Sequence, residues 1–177
     1  MSNATPIVIW FKRDLRVNDH ATLAWASQQD RPVVPLYVVE PDYWQLPDTS
    51  ARQFEFLRES LGSLNMQLAA LGAPLIVRCG SVKDVLAELN QQFGQFELIS
   101  HEETGNLWTF QRDLSVADWA RSQGIRWREV PQSGVVRRLQ GRDGWAKSRN
   151  IYVAKPQRDA PVALRATCLD SLSLIHI

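Results

Sequence analysis

Residues 33–78 read VVPLYVVEPDYWQLPDTSARQFEFLRESLGSLNMQLAALGAPLIVR, and they decide the fold. Val33–Val39 is apolar on both faces, as a strand buried in a parallel sheet must be. Phe54, Leu57, Leu61, Leu64, Leu68 and Leu71 then recur at steps of three and four, which places all six on one helical face. Thr49 or Ser50 is the expected cap of that helix, and Gly72 its end. Pro74 opens a second apolar run at 75–78. Two such runs joined by a helix of this length require a right-handed crossover between parallel strands. Pro35 stands inside the first run, where it removes a ladder donor, so an edge or a bulge is expected there.

The same alternation extends in both directions. Ile7–Phe11 is a short β-rich run, followed by a helix carrying Leu23, Ala24 and Ala26 with Asn18 or Asp19 as cap. Ser81 and Asp84 have capping-box spacing ahead of Val82, Val85, Leu86, Leu89 and Phe93. Residues 96–100 give a fourth strand. Leu107, Phe110, Leu114 and Ala117 stripe another helix, which stops near Gly124, and residues 125–130 give a fifth strand. The expected fold is α/β, a Rossmann-like, doubly wound, mainly parallel five-stranded sheet with helices on both faces. Residues 132–155 are rich in Arg, Gly and Lys without periodicity and read as a long surface excursion. Residues 154–161, AKPQRDAP, read as a linker.

At 177 residues, 45% hydrophobic and 22% charged, the chain is an ordinary globular domain. A net charge of +1 gives no global footprint for nucleic acid, so any DNA affinity must be local. Cys79 and Cys168 match no zinc or redox spacing, which suggests a reduced chain with incidental thiols. No leader pattern or membrane-length apolar run is visible, so the expected location is the cytoplasm, with no membrane partner. There is no glycine-rich dinucleotide fingerprint and no P-loop, and His101-Glu102-Glu103 lacks the second histidine of a zinc-protease helix. His20 and His176 stand alone. No catalytic set and no metal set is expected.

Two strand ends carry chemistry. Residues 10–16, WFKRDLR, run from an aromatic strand end into charges where parallel sheets bind ligands. Residues 101–106, HEETGN, put carboxylates, an imidazole and an amide at the end of the fourth strand. An Arg–Asp–Arg cluster also serves to tie down a loop, Glu102 and Glu103 also serve as solvated surface, and Thr104 or Asn106 also serves as a helix cap. Trp108, Trp119 and Trp127 suit the core, with Trp108 near enough to the second loop to stack on a ring. Arg137, Arg138, Arg142, Lys147 and Arg149 surround Trp145 in a locally basic patch, which reads first as a solvated loop.

Residues 9–19, IWFKRDLRVND, resemble the opening signature of the photolyase/cryptochrome family, a strand ending in Trp-Phe-Arg-(Arg/Lys)-Asp-Leu-Arg followed by Asp-Asn. PVVPLYVVEP, ALGAPLIVRCG, SHEETGNLWTFQRDLSVADWARSQGIRWREV and QSGVVRRLQGRDGWAKSRN resemble later family segments in order, and the proline of the second strand belongs to that pattern. The likeness covers roughly residues 7–165. His20 departs from the family's asparagine. Trp108-Thr109 departs from the Asn-Glu pair that holds a pterin in folate-antenna members. CLDSLSLIHI, at 168–177, continues no family pattern and reads as a truncation.

The resemblance implies an antenna-binding domain over residues 1–153, the start of an interdomain linker over 154–167 and an atypical tail over 168–177. It implies Phe11, Lys12, Arg13, Asp14, Arg16, Glu102, Glu103, Asn106 and Trp108 around an antenna chromophore, either a deazaflavin, a flavin or a folate. It also implies a carboxy-terminal helical domain holding FAD, whose reduced form repairs pyrimidine dimers flipped out of damaged DNA, as in deoxyribodipyrimidine photolyase, a carbon–carbon lyase. In cryptochromes the flavin drives blue-light signalling instead. This chain lacks that helical domain and is expected to be inactive in repair. The alternative is a stand-alone nucleotide- or small-ligand-binding Rossmann-like domain, and a simple interaction module also stays open.

Overall fold

The computed structural model describes residues 4–167 other than Arg138, Gln140 and Arg142; Cys168, His176 and the rest of the 168–177 tail lie outside the described residues. Five strands, β1 (Ile7–Phe11), β2 (Val33–Val39), β3 (Ile76–Cys79), β4 (Glu97–His101) and β5 (Trp127–Val130), form one sheet in the order β3-β2-β1-β4-β5. Every pairing is parallel. The order reverses at β1, so the ends of β1 and β4 lie side by side.

Alternation along the strands divides the core in two. Ile7, Ile9 and Phe11 face α1 (Ala21–Ala26) and α3 (Ala51–Ala70), where Leu57, Leu61, Leu64 and Leu68 are buried. Val8 and Trp10, with Val34, Leu36 and Val38, face α4 (Val82–Phe93) and α5 (Leu107–Ser122). Each buried aliphatic side chain contributes about 1.5–3 kcal/mol, so the long leucine stripe makes α3 the main cover of its face. Ser50 caps α3 by accepting the Gln53 N–H, and Gly72 ends it at φ +96°.

Pro35 lies in an interior strand, contrary to the edge or bulge expected. The Val33 N–H donates to the Arg165 carbonyl on the side away from β1. Pro35, two residues on, shares that side, and β3 pairs only from Leu36 onward. The ladder therefore loses no donor.

Three helix expectations are corrected. The cap of α1 is His20, whose Nδ1 accepts the Leu23 N–H; Asp19 is in the left-handed region at φ 46° and its carboxylate accepts the Arg158 N–H. The Ser81 hydroxyl makes no capping bond. Instead the Glu40 carboxylate, from the end of β2, accepts the Val82 N–H at 3.4 Å. On α5 the buried face is Thr109, Asp113, Val116 and Ala120, while the expected stripe of Leu107, Phe110 and Leu114 is 68%, 53% and 43% exposed.

The 132–155 excursion contains a short helix, α6 (Trp145–Val153), with no buried residue. α2 (Pro41–Trp44) is a single turn after β2. Beyond the irregular 154–161 stretch the chain runs back along the domain. Leu164 is buried and its N–H donates to the Leu71 carbonyl, and Ala166 bridges Val33 in parallel.

Candidate functional site at the strand ends

The turn after β1 is fixed by Asp14. Its Oδ1 accepts the Lys12 N–H at 2.8 Å. Its Oδ2 accepts from His20 Nε2 at 2.9 Å and from His101 Nδ1 at 2.6 Å. All three side chains are buried, and the imidazole rings lie 4.4 Å apart. Burial pushes the Asp14 carboxyl upward, but hydrogen bonds from His101 and His20 outweigh it and hold the pKa well below the usual range. For His20, burial wins over the Asp14 contacts and lowers the pKa.

The three groups offer ligand atoms within 4.8 Å of one another, a spacing that suits a metal ion. His20 does not suit one. Its Nδ1 already accepts the Leu23 N–H, so Nε2 carries the proton it gives to Asp14. Ligation through Nε2 would require an imidazolate. The trio is a knot that ties the ends of β1 and β4 to the start of α1.

Beside it lies an ion network in which charges of both signs are paired. Buried Lys12 reaches Asp113 Oδ2 at 2.8 Å and Glu129 at 3.8 Å, and sits 4.3 Å from the centre of the Trp10 ring. Burial lowers the Lys12 pKa, and Asp113 only partly restores it. Arg112 bonds Glu40 at 3.0 Å, Asp113 at 2.9 Å and Glu103 at 2.5 Å. Burial alone would lower its pKa, but those carboxylates raise it above the ordinary value. Arg137 pairs with Glu129 at 2.9 Å, and Arg13 with Glu103 at 2.9 Å. Burial raises the Glu40 pKa despite the Arg112 contact.

The crevice between the ends of β1 and β2 is nearly closed. Tyr43 and Trp44 of α2 roof it, with Tyr43 accepting a hydrogen bond from Arg13. The Arg112 guanidinium walls it, 4.8 Å from the Trp10 ring. About 50 Å³ remains, room for a few waters at most. Ligand pockets run to about 300–1,000 Å³, so a flavin, deazaflavin or pterin ring does not fit this crevice.

Larger spaces flank α5, about 420 Å³ on its α4 side and about 740 Å³ along its exposed apolar face.

The structure brings the two expected loops together but gives their residues different parts. Phe11 and Asp14 are wholly buried and Lys12 nearly so, with Phe11 and Lys12 among the residues that line the narrow crevice. Arg13 is exposed at the crevice mouth. Arg16 donates to the Asp19 carbonyl. Asn106 caps α5 through the Thr109 N–H and donates to Asp48. Glu103 faces the network, the Glu102 carbonyl accepts from Gln132, and half-buried Trp108 packs on Tyr43 at 5.4 Å. Trp119 and Trp127 pack against the core.

Of the basic patch, Arg137 turns inward to Glu129, Lys147 and Arg149 are exposed, and Arg138 and Arg142 lie outside the described residues. His20 does not stand alone, because the fold brings it to Asp14 and His101. Sequence reasoning missed Glu40, Tyr43 and Glu129 as members of this site. Glu40 had a usable signal as the first residue beyond β2, and Arg112-Asp113 had one as a charged pair within a helix.

No helix among the described residues is long and apolar enough to cross a membrane. The DNA photolyase family model matches residues 7–143. A chloroplastic/mitochondrial cryptochrome DASH of Ostreococcus tauri is 40% identical over 95 residues, 48% of this chain and 17% of the relative. The (6-4)DNA photolyase of Arabidopsis thaliana is 30% identical over 135 residues, 71% of this chain and 24% of the relative. The chain thus spans about a fifth of the length of these relatives. The crystal structure of a bacterial class III photolyase from Agrobacterium tumefaciens superposes with a TM-score of 0.77 at 22% identity, over 94% of this chain and 36% of that one. An archaeal photolyase from Sulfolobus tokodaii, solved with two FAD molecules, gives 0.72 at 19% identity, over 92% and 39%. This chain belongs to the DNA photolyase family, as an amino-terminal α/β domain of the photolyase/cryptochrome type.

Proposed function

We propose that this domain collects light for a flavin held elsewhere, binding an antenna chromophore at the carboxyl end of its sheet. The observation that carries the reading is the parallel pairing of β1 with β4, which sets loops 12–16 and 101–106 side by side at the point where strand order reverses. The chromophore supplies absorption and passes excitation on; the protein binds and orients it.

The flavin acceptor belongs to a helical domain that docks on this one. The exposed Leu107, Phe110 and Leu114 support that docking, since a contiguous apolar face of this kind marks an interaction surface. We propose further that these 177 residues on their own neither hold FAD nor repair a pyrimidine dimer.

The stand-alone nucleotide-binding reading is less well supported. A phosphate needs free backbone N–H groups after β1, and here the Lys12 N–H is spent on Asp14.

Absorbance tests the reading. The purified chain, incubated with flavins and pterins and then desalted, is expected to keep a near-ultraviolet or blue band. Release of adenine nucleotide on denaturation, with no such band, overturns it. Irradiation with dimer-containing DNA and a reductant is expected to give no repair, and measurable turnover would refute the claim of inactivity.

A further inference from the structure

The crevice is closed by a piece of chain whose hydrogen bonds are almost all its own. Residues 41–49 join β2 to α3 and include α2, and none of them is buried. The Tyr43 N–H donates to the Glu40 carbonyl, the Leu46 N–H to Tyr43 and the Thr49 N–H to Leu46. The Thr49 hydroxyl is shared between the Trp44 and Leu46 carbonyls at 3.0 and 2.7 Å. Pro41 and Pro47 stiffen the piece by fixing φ. Glu40 and Ser50 flank it in extended conformation, outside both β2 and α3. Positions at the ends of regular elements are where a hinge absorbs its change of dihedral angle.

Two side-chain hydrogen bonds, among the described residues, tie this piece to the body of the domain. Arg13 donates to the Tyr43 hydroxyl at 2.8 Å, and the Asn106 amide donates to the Asp48 carboxylate at 2.9 Å. Both are exposed, where such a bond contributes little net stability. One donor comes from each of the two strand-end loops. Ring contacts complete the closure: Tyr43 lies 5.4 Å from Trp108, and Trp44 meets Phe54 edge-on at 5.0 Å. The groups beneath keep their own partners without this piece. Asn106 still caps α5 through the Thr109 N–H, Arg13 still pairs with Glu103, and Glu40 with Arg112. Tyr37 lines the crevice, and its hydroxyl has no hydrogen-bond partner among the described residues.

We propose that residues 41–49 are a lid that swings as one piece on Glu40 and Ser50, latched shut over the crevice by Arg13–Tyr43 and Asn106–Asp48. The 50 Å³ left beneath it is then the volume of the closed state. Anything larger than a few waters enters only after both latches part, and its own acceptor groups can take the donors that Tyr43 and Asp48 release. The inference goes beyond the light-collecting reading and needs no chromophore, so failure of the absorbance test leaves it standing.

A thiol placed under the lid tests this in the 177-residue chain, with Cys79→Ser and Cys168→Ser removing the native thiols. Thr109 is buried and lines the crevice, so Thr109→Cys is protected while the lid is shut. Val38→Cys, also buried at the crevice, serves if the first variant fails to fold. Labelling by an aromatic disulfide reagent is expected to vary little with dilute urea, because opening a lid exposes far less surface than unfolding. Tyr43→Phe keeps the ring contacts but removes one latch, and Asp48→Ala removes the other. Each is expected to speed labelling about threefold, and the two together about tenfold. Labelling that climbs with urea as steeply as global unfolding, or that ignores both latch variants, overturns the lid.

Discussion

Lys12 and Asp113 are separated by 101 positions in the chain, yet Nζ and Oδ2 lie 2.8 Å apart with both side chains buried. The pair joins the end of β1 to the inner face of α5. Lys12→Met leaves Asp113 Oδ2 without its nearest cation, with Arg112 holding only Oδ1, and Asp113→Asn leaves Lys12 with the more distant Glu129 as its counter-charge. Each single change is expected to cost about 3–5 kcal/mol. The double variant Lys12→Met/Asp113→Leu should recover much of that loss, because a buried pair replaced by apolar groups is often close to neutral. Urea unfolding of the three variants checks it; a double variant no better than the singles would refute it.

Stability should fall on acidification in two stages. His20 has a folded pKa below its ordinary 6.5, so below that value the unfolded chain takes up a proton that the native chain refuses, and stability declines until the folded pKa is passed. Asp14 has a folded pKa below its ordinary 3.8, so its contribution is full above that value and is lost as pH falls further. His20→Asn keeps an acceptor for the Leu23 N–H and removes the first stage. Its cost at neutral pH, from lost packing on Phe11, should be about 1–3 kcal/mol. Thermal unfolding between pH 7 and pH 3 reads the first stage and the onset of the second.

The faces of α5 can be told apart by substitution. Phe110→Ser, on the exposed face, should change stability by no more than about 0.5 kcal/mol. Val116→Asp puts a charge into the core beside Leu86 and Leu98 and should cost more than about 3 kcal/mol. Chemical denaturation decides; the opposite ranking would return the apolar stripe to the core.

Arg112 and Glu40 should respond unequally although they are partners. Removing Arg112 as Arg112→Ala leaves Glu103, Asp113 and Glu40 facing one another and should cost about 3–5 kcal/mol. Glu40→Gln keeps its one amide oxygen for Arg112 and gives up only the longer bond from the Val82 N–H, 3.4 Å. Because burial raises the Glu40 pKa, the neutral amide also escapes the cost of burying a charge at neutral pH. The expected change is within about 1 kcal/mol, measured by the same unfolding assay.

Strand and helix order was legible because it is written in local periodicity. The α3 leucines, the closing Gly72 and the apolar run of β2 each state their role within a few residues. Family membership was legible too, in WFKRDLR and in the order of later segments. α5 misled for a physical reason. Its inner face carries Thr109 and Asp113, which look like surface residues until Asp113 meets Lys12 and Arg112. Its apolar stripe points outward, into a groove that stands open in this chain.

The sequence by itself determined the doubly wound sheet, because hydrophobic period and crossover handedness leave few topologies open. It also determined which two loops carry polar chemistry. Only the tertiary structure decided what those loops do. It spent Lys12 and Asp14 on buried contacts, closed the crevice with Arg112 and left a roomier cavity beside Trp108. Charge pairing between residues far apart in the chain sets those outcomes, and no local pattern encodes which carboxylate a buried cation will find.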